Sequence, residues 1–98
     1  IFSTLLETMP NHKLSSNCQY WIGESYNAMG QHRKAIDAFT SVLNYRSSYK
    51  YDDALIMNGL IFMRLGDKNL SRDNFQRLLS KYQDSEYEPK AMRYLGQL

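Results

Sequence analysis

Apolar side chains recur along this chain every three or four residues, the spacing that places them on one face of an α-helix. One such stripe consists of Ala35, Ile36, Phe39, Val42 and Leu43. A wider apolar face precedes it and consists of Tyr20, Trp21, Ile22, Tyr26 and Met29. The second half of the chain repeats this arrangement with Leu55, Ile56, Phe62, Met63 and Leu65, then Leu70, Phe75, Leu78 and Leu79. The pattern predicts pairs of helices and an all-α fold.

The two pairs are copies of one repeat. Glycine and aromatic positions at Gly23, Tyr26, Gly30 and Phe39 recur 36 residues later, and a further step of 37 residues from Gly59 reaches Gly96. Repetition at this period indicates stacked helix pairs. We therefore interpret residues 1–98 as a single domain. It comprises the end of a preceding repeat (1–10), two repeats (16–46 and 52–83) and a final helix (86–98).

Four glycines and an aspartate refine this prediction. Gly30 and Gly66 fall between the two helices of each pair, where a left-handed residue commonly ends a helix. Asp67 is then a suitable N-cap for the helix that follows. Gly23 and Gly59 lie inside helices, where glycine costs about 1 kcal/mol relative to alanine. We expect them to permit a close approach of the paired helix, because a missing Cβ lets the two backbones draw together.

The final helix has two possible starts. Pro89 suits the first turn of a helix, whereas Ser85 and Glu88 form a possible capping box that would begin the helix a few residues earlier. At the other end, the helical spacing of Phe2, Leu5, Leu6 and Met9 stops at Pro10. This spacing predicts that the segment is the last part of a second helix. Because the chain opens on Ile1, we interpret it as an excised fragment.

Composition narrows the possible functions. The 98 residues carry a net charge of +2, too mild for the concentrated basic surface expected of a nucleic-acid-binding domain. No run approaches the ~18 apolar residues of a membrane span. The single cysteine, Cys18, permits no internal disulfide, and a packed thiol is the expected role.

The sequence contains no recognisable catalytic, metal-binding or cofactor-binding motif. His12 and His32 lack metal-ligand spacing, and Asp52 and Asp53 suit a helix N-terminus. We expect core packing rather than a ligand box for the aromatic residues Trp21, Tyr26, Phe39, Phe62 and Phe75. The chain is therefore predicted to be no enzyme, to need no cofactor, and to bring no pair of titratable residues together in a pocket.

The repeat resembles a known family. Its small and aromatic positions hold Gly23, Tyr26, Gly30, Ala35 and Phe39 in one copy, and Gly59, Phe62, Gly66, Ser71 and Phe75 in the other. These residues resemble the tetratricopeptide repeat, with Ser71 in place of alanine, no proline near Ser47, and a period longer than the usual 34 or so residues. The resemblance implies a right-handed superhelix of antiparallel helix pairs that scaffolds other proteins.

Two longer segments, residues 9–39 and 65–95, resemble the C-terminal repeat domain of the Tol–Pal-associated cell-division coordinator family. The matching residues of the first are Pro10, Asn11, Leu14, Asn17, Cys18, Tyr20, Trp21, Ile22, Gly23, Glu24 and Tyr26. The sequence differs from the residues most common in that family at Asp37 and in the segments 45–51 and 68–71. The resemblance implies a periplasmic bacterial protein whose partners belong to the Tol system or to peptidoglycan synthesis. Outer-membrane assembly lipoproteins share the same sequence motifs and remain an alternative.

In the resembling fold, the first helix of each pair lines a concave face that receives an extended or helical peptide. The corresponding positions here are Asn17, Tyr20, Glu24, Asn27, Asp53, Ile56, Leu60, Met63, Arg64, Lys90, Arg93 and Gln97. Four of these positions hold aromatic or aliphatic side chains, which are expected to form an apolar strip: Tyr20, Ile56, Leu60 and Met63. One end of the concave face is expected to be basic, because it holds Arg64, Lys90 and Arg93. The expected partner is a peptide with an apolar anchor and an acidic group.

Other interpretations remain open at this point. The strip is either a groove or a surface covered by a neighbouring repeat or a crystal partner. The chain is either an interaction module or a structural segment of a longer solenoid, which would associate with itself through exposed terminal repeats. A carboxylate clamp like that of co-chaperones is not favoured, because the matching positions hold Tyr20, Glu24 and Met57.

Overall fold

The computed structural model describes residues 13–45 and 50–98. Within these ranges the chain forms five helices and no strand, which confirms the predicted all-α fold. The helices are α1 (Lys13–Ala28), α2 (His32–Val42), α3 (Tyr51–Leu65), α4 (Lys68–Lys81) and α5 (Glu88–Gln97). The half repeat predicted for residues 1–10 lies outside the described residues.

The chain divides into two compact units, one ending at Ala54 and the other beginning at Leu55. In the first unit α1 packs against α2, whose inner face buries Ala35, Ile36, Ala38, Phe39 and Val42. Cys18 is also buried, as predicted. In the second unit α4 packs against α5 and buries Ser71, Phe75 and Leu78. Each unit therefore has an apolar interior of its own.

Both turns inside the helix pairs have the predicted glycine geometry. Gly30 has a φ of 78° and Gly66 a φ of 86°, in the left-handed region. After Gly66, the Asp67 N–H donates to the Phe62 carbonyl at 2.9 Å, while the Gly66 N–H donates to Met63 at 3.1 Å. This pair of bonds is the Schellman arrangement, which satisfies carbonyls at a helix end. The side chain of Asp67 caps α4 by accepting from the Leu70 N–H at 3.1 Å, as predicted.

The helical glycines permit a close approach, although by a side chain rather than by backbone. A Cβ atom on Gly23 would lie 2.6 Å from Cε1 of the Phe39 ring, and one on Gly59 would lie 2.5 Å from Cε1 of Phe75. Neither contact is possible for real atoms, so each phenylalanine occupies the space that the glycine leaves. The same relationship in both units explains why glycine recurs at this position.

Ser71 stands where the family pattern usually has alanine, and the structure satisfies its hydroxyl. The Oγ atom is buried and donates to the Gly59 carbonyl at 2.7 Å. A buried hydroxyl without a partner would cost about 1–3 kcal/mol. The serine therefore ties α4 to α3 beside the contact of Phe75 with Gly59.

The last helix begins at Glu88, with Pro89 in its first turn. This decides between the two predicted starts in favour of the proline. The N-cap of α5 is Tyr87 rather than Ser85, and the Ser85 Oγ accepts from the Tyr87 N–H at 3.0 Å, within the preceding turn. In the helix itself, Ala91 is buried and the ring of Tyr94 stacks on Phe75 with centroids 5.6 Å apart.

Four apolar residues assigned to the helix faces are exposed instead, namely Trp21, Met29, Leu65 and Leu70, and Met92 on α5 is exposed as well. Met29 and Leu65 occupy the same place in their repeats, directly before the glycine of the turn, where the helix ends. Leu70 corresponds by repeat position to Lys34, which is also exposed. The prediction that Trp21 belongs to the core is wrong, because its side chain is 46% exposed.

Candidate partner-binding surface

The predicted binding residues of α1 share one side of the helix. Asn17, Tyr20, Glu24 and Asn27 follow each other at intervals of three or four residues, which aligns them along a single face. Asn17, Glu24 and Asn27 are half-buried, whereas Tyr20 is only 7% exposed. This face of α1 therefore presents polar groups around a mostly covered aromatic ring.

Tyr20 is covered by aromatic neighbours. Its ring lies 5.4 Å from that of Phe39, tilted by 51°, and Trp21 meets it edge-on with centroids 5.3 Å apart. Edge-to-face packing of this kind adds to the stabilisation from burial. Burial is the main reason that the pKa of the Tyr20 hydroxyl is raised, and the charges of Glu24, Asp53 and Asp52 raise it further.

A lysine also lies against these two rings. The Nζ atom of Lys50 is 4.9 Å from the centroid of Tyr20 and 5.4 Å from that of Trp21. Both distances suit a cation–π interaction. Lys50 directly precedes α3, and the hydroxyl of the adjacent Tyr51 donates to the Tyr45 carbonyl. We call Tyr20, Trp21 and Lys50 the aromatic–lysine cluster.

Three carboxylates lie near this cluster. Glu24 comes one helical turn after Tyr20, and Asp52 and Asp53 lie in the first turn of α3. Burial is the main cause of the raised pKa of Glu24; Asp53 raises it further, while Lys50 opposes the rise. Oε1 of Glu24 is buried and accepts no hydrogen bond from the described part of the chain. Three acidic residues thus share the neighbourhood of one lysine.

The expectation that no pair of titratable residues meets in a pocket stays a prediction, although two titratable residues of this α1 face have shifted pKa values. Tyr20 and Glu24 both have a raised pKa and belong to one region. Perturbed groups mark catalytic sites when a cleft exposes them to a substrate, but networks of charges in binding or structural sites shift a pKa as well. Tyr20 is buried, and its raised pKa favours the protonated hydroxyl.

In the second unit the predicted residues differ in exposure. Ile56 is 2% exposed, Leu60 and Met63 are half-buried, and the polar members, Arg64, Lys90, Arg93 and Gln97, are exposed. The guanidinium of Arg93 lies 5.3 Å from the centroid of its neighbour Tyr94. Three cations are therefore open to solvent, whereas Ile56, like Tyr20, is largely withdrawn from the surface. Partner binding by these residues stays a prediction.

Asn27 has a local partner. Its Oδ1 lies 3.1 Å from Nδ1 of His32, across the turn between α1 and α2. Among residues 13–45 and 50–98, no group of three histidine, cysteine, aspartate or glutamate side chains is arranged to hold a metal ion. His32 thus contacts the Asn27 amide at this turn. The Asn27 side chain, at the end of the α1 face, already has His32 as a partner.

Comparison with known families is decisive for the fold. Residues 17–48 and 53–85, more than half of the chain, match the profile of the tetratricopeptide repeat. The chain belongs to the tetratricopeptide repeat family. Such repeats generally mediate protein–protein interactions, and family members are typically non-enzymatic scaffolds. No curated protein gives a significant match to the chain.

The tetratricopeptide pattern does not predict every member of the surface. Lys50 was missed because it lies in the connector before α3, outside any helical periodicity. Trp21 was assigned to the core, although it is the exposed member of the aromatic–lysine cluster. The available signal was the arrangement of charge at the start of α3, where Lys50 is followed two and three residues later by Asp52 and Asp53. None of the described helices is long and apolar enough to cross a membrane.

Proposed function

We propose that this tetratricopeptide chain is a scaffold that binds a peptide or a helix of a partner protein along the first helices of its repeats. Family membership carries the proposal, since the repeats generally mediate protein–protein interactions. The exposed cations Arg64, Lys90 and Arg93 on α3 and α5 support it, because exposed charges of one sign attract a complementary partner. The proposed role involves no catalysis and no cofactor.

The chemistry of these residues suggests what the partner carries. Arg64, Lys90 and Arg93 suit an acidic group, and Arg93 offers a planar guanidinium that can form paired hydrogen bonds with a carboxylate. The half-buried Leu60 and Met63 suit an apolar anchor, and methionine adapts readily to the shape of a bound side chain. A peptide that combines an apolar and an acidic residue is the proposed ligand of this surface.

We further propose that the scaffold works in the bacterial envelope, in the periplasm. The support is the amino-acid sequence of residues 9–39 and 65–95, which resembles the repeat domain of the Tol–Pal-associated cell-division coordinators. Partners of the Tol system or of peptidoglycan synthesis follow from that resemblance. A module of the outer-membrane assembly lipoprotein type is the alternative within the same compartment.

A comparison of two charge-reversed variants tests the binding surface. The chain is immobilised and exposed to bacterial envelope extract as wild type, as Arg64→Glu/Lys90→Glu/Arg93→Glu, and as Arg33→Glu/Lys68→Glu/Arg77→Glu. The second triple variant has the same change in net charge, but its exposed positions lie on the second helices α2 and α4. We expect the first variant alone to lose a partner that the wild type retains.

Equal retention by all three proteins would contradict the assignment to the first helices. Loss of the partner by both variants would show that only net charge matters. Circular dichroism establishes beforehand that each variant keeps the helical content of the wild type, so that unfolding is not mistaken for lost binding.

A second candidate is a structural segment of a longer solenoid. Met92 favours it, because this side chain is 58% exposed on α5 beside the buried Ala91. In a solenoid such a surface is covered by the next helix pair. If the chain is such a segment, it associates with itself in sedimentation experiments, and Met92→Lys reduces the association. A monomer at all concentrations, with or without the substitution, would retire this candidate.

A further inference from the structure

A cleft lies between α1 and α2, on a flank of the first unit that the proposed peptide surface does not include. Its volume is about 430 Å³, and Ile22 and Tyr26 line it from α1. Ile22 lies about 200° around α1 from Glu24, a member of the peptide surface. The cleft is therefore a separate surface, and its volume is in the range of cavities that receive ligand groups or side chains.

Two small side chains of α2 make this cleft wide. Ala38 and Ser41 line it, whereas the positions 36 residues later, on α4, hold the larger Asn74 and Arg77. The hollow that Asn74 and Arg77 line has a volume of about 170 Å³. Ala38 is buried and Ile22 half-buried, so the interior of the wider cleft is apolar.

The edge of the cleft carries one charge of each sign. The Nζ atom of Lys34 lies 5.7 Å from the centroid of the Tyr26 ring, and Asp37 follows Lys34 by nearly one helical turn. Both charged residues are exposed. The Ser41 hydroxyl donates to the backbone carbonyl of Asp37 at 2.9 Å rather than to its carboxylate. A matching occupant therefore has an apolar side chain flanked by an acidic and a basic residue.

Helix α5 of the same chain has this composition. Met92 is 58% exposed, although the adjacent Ala91 is fully buried. Glu88 precedes Met92 by one helical turn, and the exposed Arg93 follows it directly. Methionine adapts its shape to irregular apolar spaces. The chain therefore carries both a cleft and a side chain that suits it.

The charges match when α5 of one copy lies parallel to α2 of another. If Met92 lies against Ala38, Glu88 comes level with Lys34, because each charged residue precedes its apolar neighbour by four positions. A carboxylate then faces an ammonium group. Complementary charges of this kind fix the register and the direction of two docked helices.

The second charge pair follows from the same register. Arg93 comes directly after Met92, and Asp37 comes directly before Ala38. On two parallel helices that face each other, a step forward on one and a step back on the other lead to the same side of the interface. Arg93 and Asp37 are therefore neighbours in this arrangement.

We infer that α5 of one copy docks into the α1–α2 cleft of a second copy, with Met92 as the anchor. The two surfaces differ, so the contact is head-to-tail and leaves each end of the pair open to a further copy. The inference deepens the structural-segment candidate above and rests on it, since it names the surface that receives Met92. Arg93 also belongs to the proposed peptide surface, so an acidic peptide there should weaken the association.

A mixture of two variants tests the head-to-tail contact. Met92→Lys removes the anchor, and Ala38→Asn/Ser41→Arg fills the cleft with the residues of the second repeat. Each variant alone should sediment as a monomer at concentrations at which the wild type associates. Their equimolar mixture should form a dimer, because one variant keeps its cleft and the other keeps its α5.

A charge exchange tests the register. Lys34→Glu and Glu88→Lys should each weaken the association about tenfold, since each reverses one exposed ion pair. Lys34→Glu/Glu88→Lys should restore it. Lys34→Glu/Glu86→Lys has the same net charge, with the second change at an exposed position in the turn before α5, and should not restore it.

The inference is overturned if the folded wild type is a monomer at all concentrations, a result that also retires the structural-segment candidate. Association that Met92→Lys abolishes and Ala38→Asn/Ser41→Arg leaves intact would remove the cleft alone and keep that candidate. A mixture that stays monomeric, or a charge exchange that restores nothing, would likewise contradict the docking. Circular dichroism checks the folding of each variant, and Ser41→Arg alone replaces the double substitution if the latter loses helical content. The envelope pull-down reports separately on peptide binding.

Discussion

The ring of Phe75 occupies the space in which Gly59 would otherwise carry a side chain. A Cβ atom on Gly59 would lie 2.5 Å from Cε1 of the ring and 2.8 Å from Cδ1. Phe75 is fully buried and stacks on Tyr94 on another side, so it has little freedom to withdraw. The contact joins α3 to α4, and Phe39 repeats it against Gly23 in the first unit.

Gly59→Ala should therefore destabilise the protein even though alanine is the better helix former. Alanine recovers about 1 kcal/mol of helix propensity, but forcing a methyl group into a filled interior costs typically 1–3 kcal/mol or more. We expect a net loss of about 1–2 kcal/mol in the free energy of unfolding, as measured by urea denaturation.

Gly96→Ala is the control for this substitution. Gly96 is also helical, near the end of α5, and no atom lies within 4 Å of an added Cβ. Its replacement should stabilise the protein by up to about 1 kcal/mol. Equal effects at Gly59 and Gly96 would show that the contact with Phe75 has no energetic importance.

Substitution of Gly66 tests the energetic cost of the left-handed backbone conformation in the turn, separately from any steric clash. Its φ is 86°, and an added Cβ would meet no atom within 4 Å. Gly66→Ala should cost about 1–2 kcal/mol, because only the left-handed conformation is penalised. Gly66→Asn should cost less, since asparagine tolerates this region better. Two substitutions of equal cost would argue against backbone strain as the cause.

These positions were predictable because their cause is local or is repeated. A glycine between two helical stripes indicates a left-handed turn whatever surrounds it, and Asp67 caps α4 through a bond to a residue three positions away. Gly23 and Gly59 were recognisable as close approaches because glycine is unfavourable within a helix. The sequence did not show that a phenylalanine ring, rather than backbone, fills the space.

The exposed residues and the aromatic–lysine cluster were less predictable, for a physical reason. Helical periodicity describes a face, but the width of the buried part depends on which neighbours pack against it. Trp21 lies about 100° around α1 from Tyr20, and only Tyr20 meets Phe39 in the interior. Lys50 reaches the rings from a connector, where no periodic pattern relates sequence to contact.

Glu24 should make stability depend on pH. Its pKa is raised above the ordinary value of 4.5, mainly by burial. The folded state therefore binds this proton more tightly than the unfolded state does. The stability from proton binding is fully present below pH 4.5 and is lost as the pH rises through the folded-state pKa.

Glu24→Gln consequently should be more stable than the wild type at pH 7. The difference should shrink as the pH falls through the raised folded-state pKa towards 4.5, and it should be lost below pH 4.5. Urea denaturation at several pH values measures it. Glu86→Gln, at an exposed position in the turn before α5, is the control and should change stability little across the range. A Glu24→Gln variant that is less stable at pH 7 would mean that the attraction to Lys50 outweighs the cost of burial.

Photo-crosslinking most directly tests the claim that partners bind along the first helices. A photoreactive benzoylphenylalanine is placed in turn at Arg64 on α3 and at Arg77 on α4, both exposed. Each protein is irradiated in bacterial envelope extract. We expect a partner to be cross-linked from position 64 and not from position 77. A partner cross-linked equally from both positions, or from position 77 alone, would contradict it.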